Sequence, residues 1–280
     1  MSQAGTSKSS TPSSSHTTTE KHNEEIARSF GDAVAYYEQN ARVQKEVSER
    51  LIASLDPWRD IIPPGPILEI GCGTGFVTEG ILNLYPGRKK IITDLSPVMV
   101  EYCREKFNGA EHVTFEQLDA ENVDPDEPQY ALTVSGFAAQ WFRDPAFTLG
   151  RLMEATLPGG LLLASFPGSE SFPEWKEQCN ELGLPFTGNT LPDTEEMVIK
   201  MSTGPTQVDY YEDTITQKFE SAADFFRHLK QIGAGTKKEG RSLTPGEMRM
   251  LINHWNRTAD DGIKVSYHVV FLAVKRDHVS

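Results

Sequence analysis

Pro66-Ile67-Leu68-Glu69-Ile70-Gly71-Cys72-Gly73-Thr74-Gly75-Phe76 is the stretch on which the fold turns. An apolar run carrying one acid is followed by glycines at every second position, and then by a helical pattern. This reads as a strand feeding a glycine loop that opens a helix. Such a loop lets backbone approach a nucleotide-like ligand where a side chain would collide. The dinucleotide-binding spacing, G-x-G-x-x-G, would require its third glycine at position 76, which is Phe76. Here the third glycine is Gly75, and Glu69 lies two residues before the first. Taken alone, the loop also fits a tight strand-to-helix turn with no ligand.

Strand and helix signals alternate outward from this loop. Strands are expected at 66–71, 89–94, 112–117, 130–135 and 160–166, with further strand signals at 206–219 and 265–275. Helices are expected near 74–84, 97–107, 143–157, 221–232 and 244–257. Alternation of this kind implies an α/β fold with a mostly parallel sheet covered on both faces. Before the loop, residues 22–55 read as helical, because Val43, Val47 and Leu51 repeat at i, i+4 and i+8. Pro158-Gly159-Gly160 reads as a turn ahead of the apolar run 161–164. Thr244, Pro245 and Glu247 form a capping box that starts the last helix. The expected organisation is a Ser/Thr-rich disordered tail at 1–21 and one domain at 22–280. That domain comprises a helical leader at 22–57, a ligand-binding core at 64–166, an insert and lid at about 167–258, and a final strand at 265–275.

The 280 residues carry a net charge of −13, which argues against nonspecific binding of nucleic acid or an anionic membrane surface. No apolar run approaches the roughly 20 residues of a membrane span. The first 19 residues lack the apolar segment of a secretory signal. The three cysteines, Cys72, Cys103 and Cys179, suggest no disulfide framework and fit a reducing cytoplasm. No Cys/His spacing points to a metal, and a monomer is expected.

Asp94 closes the second strand, 21 positions after Gly73, where an acid can accept hydrogen bonds from ribose hydroxyls. It can also serve as a helix cap, since Ser96-Pro97 follows. The pattern Glu69-x-Gly71-x-Gly73-x-Gly75 resembles the first motif of class I S-adenosylmethionine (SAM) methyltransferases. The resemblance implies a Rossmann-like, seven-stranded α/β fold with a helical lid. It also implies that Asp119 accepts from the adenine amino group and that Glu69 supports the methionine amino end. The cofactor set so implied is Glu69, Gly71, Cys72, Gly73, Gly75, Asp94, Leu95, Asp119, Ala120 and Ser135.

Further segments are similar to one family. The leader from Ser29 through Tyr36-Tyr37 to Ala41, Ala138-Ala139-Gln140-Trp141, Leu229-Lys230-Gln231-Ile232-Gly233-Ala234 and Ser266-Tyr267-His268 resemble the malonyl-[acyl-carrier-protein] O-methyltransferases of biotin synthesis. The chain departs from that family at Ser135-Gly136, where Ser-Asn is common. The resemblance implies methyl transfer from SAM to the free carboxylate of a malonyl thioester, with Tyr37 positioning the acceptor and no general base. Gln140 and Trp141 are candidate pocket residues, and Trp141 reads equally as core. Arg143 and Lys230 are candidate cations for the acceptor carboxylate, and Arg143 reads equally as part of a solvated face. Residues 227–249 hold Arg227, Lys230, Lys237, Lys238, Arg241 and Arg249 against Glu239 and Glu247, six minus two, or +4. This window is a candidate dock for an acidic carrier protein, or an ordinary solvated surface.

Overall fold

The computed structural model describes residues 41–127, 129–232 and 241–278. Its centre is a seven-stranded sheet in the order β3-β2-β1-β4-β5-β7-β6. The strands are β1 (Ile67–Ile70), β2 (Lys90–Asp94), β3 (Val113–Gln117), β4 (Tyr130–Gly136), β5 (Thr156–Pro167), β6 (Thr206–Phe219) and β7 (Ile263–Arg276). Strands β1 to β5 pair in parallel, and β7 runs antiparallel between β5 and β6. The α/β, mostly parallel sheet expected from the alternation is therefore present.

β1 shows why the sheet must be covered on both sides. All four of its residues are buried. Ile67 packs into a cluster with Val43, Val47 and Leu51, while its neighbour Leu68 packs into another with Leu149 and Leu152. Alternating side chains thus serve opposite faces, as a doubly covered parallel strand requires. One face is covered by α1 (Arg42–Ala53) and α2 (Phe76–Leu84), the other by α4 (Pro145–Glu154); α3 (Pro97–Lys106) flanks β2 and β3. Val43, Val47 and Leu51 are all buried, so the helical stripe in the sequence is the packing face of α1.

Beyond β5 the chain adds α5 (Pro173–Glu181), α6 (Thr194–Met201), α7 (Ala222–Gln231) and α8 (Pro245–Thr258). Both bonds of the expected capping box at Thr244 and Glu247 are formed. Phe172, Trp175, Phe225, Phe226 and Trp255 meet in tilted and edge-on contacts that tie α5, α7 and α8 together.

Two boundaries differ from the sequence reading. Helix α4 ends at Glu154, and β5 begins at Thr156 rather than at 160. Pro158-Gly159-Gly160 lies inside β5 and is not a turn. Gly159 has φ +78, and the β4–β5 register shifts between Tyr130 and Leu132, so the turn-like residues build a bulge.

The chain reverses its order across the sheet between β1 and β4, since β2 and β3 lie to one side and β4 and β5 to the other. Ligands bind α/β sheets at the carboxyl ends of strands around such a switch point. The glycine loop leaves β1 there.

Candidate active site

A cleft lies at these strand ends, with about 910 Å³ of empty space that is partly open to solvent. Its walls come from the glycine loop, from Asp94 and Leu95 after β2, from Leu118 to Glu121 after β3, and from Gly136 to Ala138 after β4. Trp141, Phe142, Met99, Gln44 and Ser48 also line it.

The loop is fastened from below. Gly71 N–H and Cys72 N–H both donate to Thr93 O at 2.9 Å, and Gly75 N–H donates to Cys72 O at 2.8 Å. Gly73 and Gly75 have φ of +51 and +90. A Cβ on Gly75 would lie 2.4 Å from the Phe107 ring, whereas one on Gly73 would meet nothing within 4 Å. Gly75 is thus required by packing and Gly73 by backbone conformation.

Asp94 links the loop to α3. Its Oδ2 accepts from Gly73 N–H at 2.9 Å and its Oδ1 from Ser96 N–H at 2.8 Å. It caps the turn into α3 and also faces the cleft, where a carboxylate's remaining lone pairs can accept ribose hydroxyls. Burial pushes its carboxyl up from the ordinary range, and the backbone donors of Ser96, Gly73 and Leu95 oppose that. Asp119 lines the cleft one strand further out, with Oδ1 accepting from Glu121 N–H at 3.0 Å.

Glu69 sits beneath the loop and outside the cleft wall. It is fully buried, and its Oε2 accepts from Thr78 Oγ1 at 2.8 Å while Oε1 has no partner. Burial raises its carboxyl to about 8, and the charge of Asp94 adds to the rise while the Thr78 bond lowers it. Near neutral pH it is a carboxylic acid. Cys72 lines the cleft, and contact with Cys103 followed by burial keeps its thiol well above the ordinary range. It packs as a neutral group.

Gly71, Cys72, Gly73, Asp94, Leu95, Asp119, Ala120 and Trp141 thus share one cleft. Gly75 and Ser135 do not line it; Ser135 is wholly buried at the end of β4 with an unpartnered hydroxyl. Gln140 folds back and donates from Nε2 to Phe137 O at 2.7 Å. Arg143 does not line the cleft, and its Nε donates to Glu121 Oε2 at 3.0 Å. Lys230 is exposed on α7, also off the cleft. Arg227 pairs with Asp224, and Arg241 makes two bonds to Glu247 at 2.8 and 2.7 Å. Arg249 is exposed. Tyr37, Lys237 and Lys238 lie outside the described residues.

Gln44 and Ser48 carried no signal in the sequence as wall residues, whereas Phe137 follows directly on β4 at the cleft's mouth. The first two depend on how α1 lies over β4. Phe137 adopts φ +54, a strained conformation for a bulky side chain at the cleft wall.

The profile of a family described as a methyltransferase domain matches residues 67–160, from β1 into β5. The malonyl-[acyl-carrier protein] O-methyltransferase of Magnetococcus marinus is 30% identical over 252 residues, covering 89% of this chain and 91% of that protein. The chain belongs to the malonyl-[acyl-carrier protein] O-methyltransferase family. The fold of this family member is also that of solved structures. The YcgJ protein from Bacillus subtilis has a TM-score of 0.58 at 14% identity, over 82% of this chain and all of that one. Phosphoethanolamine N-methyltransferase 2 of Haemonchus contortus, solved with S-adenosylhomocysteine, has a TM-score of 0.50 at 16% identity, over 82% of this chain and 53% of that one.

The buried acid makes a pH-dependent prediction. In the unfolded chain Glu69 loses its proton near its reference pKa of about 4.3, but in the fold it keeps it to about 8. Between those values the native state binds more protons, so this group's contribution to stability falls as pH rises, and it levels off above about pH 8. Urea denaturation should show Glu69→Gln gaining on the wild type from pH 5 to 8 and no further at pH 9. A stability difference that does not change with pH would contradict the buried acid.

Proposed function

We propose that this chain transfers a methyl group from SAM to the free carboxylate of a malonyl thioester carried on acyl carrier protein, giving the methyl ester and S-adenosylhomocysteine. The observation that carries this reading is the 30% identity to a malonyl-[acyl-carrier protein] O-methyltransferase over nine-tenths of both chains. The cleft supports it. Gly73 leaves open space beside the backbone, Asp94 and Asp119 offer acceptors for ribose and adenine, and apolar walls from Met99, Leu118 and Phe142 suit a purine.

When bound, SAM supplies a methyl group activated by a sulfonium. The acceptor is a carboxylate with a reference pKa of about 4, already ionised at pH 7, so no residue has to remove a proton. The chain's contribution is to hold the acceptor in line and to keep water away. Phe137, Ala138 and Trp141 at the β4 end of the cleft suit that role. Glu69 retains its proton below about pH 8, so it adds no second anion near the reacting centre. Tyr37, a few residues ahead of the cleft-lining Gln44, is our candidate for positioning the acceptor. Arg143 would have to exchange Glu121 for the substrate to serve as its cation, which leaves Lys230 or the carrier's own docking to orient the acyl group.

Purified protein with labelled SAM should form an alkali-labile methyl ester on malonyl-carrier protein, and it should restore growth of a strain blocked at this step of biotin synthesis. Turnover on other small carboxylic acids but not on malonyl thioesters would overturn the acceptor assignment.

The carrier protein is acidic, so a basic surface is needed on a chain of net charge −13. Lys230, Lys237, Lys238 and Arg249 are our candidates, since Arg227 and Arg241 already have carboxylate partners. The protein is proposed to act as a cytoplasmic monomer, with no nucleic-acid or membrane partner; among the described residues no helix is long and apolar enough to cross a membrane. Charge reversal at Lys237 and Lys238 should raise KM for malonyl-carrier protein, leave turnover of malonyl-CoA intact, and lose its effect as salt is added. An unchanged carrier KM would rule out that dock.

A further inference from the structure

Gln44 is 7% exposed, and its side chain lines the cleft. Its Oε1 is buried without a hydrogen-bond partner. A buried, unpaired amide oxygen costs folding free energy that an apolar side chain of the same shape would not. Whichever way the amide is turned, one of its polar atoms occupies that unpaired position.

The location assigns it a ligand. Asp94 and Asp119 stand at the ends of β2 and β3, and so mark the adenosine end of the cleft. The opposite end is formed by Gly71 after β1, by Gly136 of β4, and by α1 above them. β4 cannot place a side chain there: a Cβ on Gly136 would lie 2.7 Å from Val77 Cγ2 and 3.9 Å from Ser48 Oγ. Ser48 has already spent its hydroxyl hydrogen on Gln44 O at 2.8 Å. The amide of Gln44 is the group on α1 with unused hydrogen-bonding capacity toward the cleft.

We propose that Gln44 holds the amino-acid group of the methyl donor at the β4 end of the cleft, a reading that rests on the methyl-donor assignment above. A carboxamide offers one acceptor and two donors, and the amino-acid group presents an ammonium and a carboxylate that match both. The carboxylate of the methyl acceptor presents acceptors only, and would engage the amide's donors alone. Gln44 is thus a binding residue for the donor's head group, on a helix that reaches the cleft from outside the glycine-loop motif.

The test is calorimetric titration of the wild type and Gln44→Leu with S-adenosylhomocysteine and with 5′-methylthioadenosine, which keeps the adenosine and thioether but lacks the amino-acid group. Gln44→Leu should bind S-adenosylhomocysteine about ten-fold more weakly and bind 5′-methylthioadenosine within about two-fold of the wild type. Its melting temperature without ligand should equal or exceed that of the wild type. Equal losses for both ligands would mean a structural role and overturn the proposal. So would an unchanged S-adenosylhomocysteine affinity accompanied by a raised KM for malonyl-CoA, which would move Gln44 to the acceptor. A wild type that binds neither ligand would strike the methyl-donor reading itself, and this inference with it.

Discussion

The Asp94 carboxylate holds the site together. It accepts from Gly73 N–H on the loop after β1 and from Ser96 N–H at the start of α3. Those two segments would otherwise carry unpaired donors at the mouth of a cleft. Charge-assisted bonds of this type are about twice as strong as neutral ones. They also fix the spacing between β1's loop and β2's end, which any ligand spanning both must match. The same carboxylate faces the cleft, so one residue both builds the wall and offers a contact on it.

Beneath this the site is layered. Thr93 O anchors Gly71 and Cys72, Phe107 fills the place a side chain at 75 would need, and Glu69 and Thr78 form a buried pair under the loop. Several unpaired polar atoms lie around it. Glu69 Oε1, Ser135 Oγ, Gln44 Oε1 and Gln140 Oε1 are buried without partners, and Phe137 is held at positive φ. Such costs are tolerated when the surrounding fold over-determines them, and they collect at functional sites. The packed clusters on either face of β1, β4 and β5 supply that over-determination.

The parts legible in the sequence were those governed by local chemistry. Glycine spacing marked the loop, a helical stripe at Val43, Val47 and Leu51 marked the face of α1, and Thr244 with Glu247 marked the start of α8. The start of β5 was misread because Pro158-Gly159-Gly160 carries turn chemistry, and the sheet uses it as a bulge. Arg143 reads as a candidate cation for the acceptor until Glu121, 22 residues away, is brought beside it. Gln44 is an unremarked polar residue on an amphipathic helix, and only the placement of α1 over Gly136 turns it toward the cleft. Cleft geometry of this kind depends on contacts between elements, which periodicity does not encode.

Asp94 is proposed as the residue that organises a SAM pocket. Titration of folded Asp94→Ala with S-adenosylhomocysteine tests it most directly. Loss of two charge-assisted bonds and a ribose acceptor should weaken binding by about a hundred-fold relative to the wild type. An affinity within about two-fold of the wild type, in a variant whose fold is intact, would contradict it.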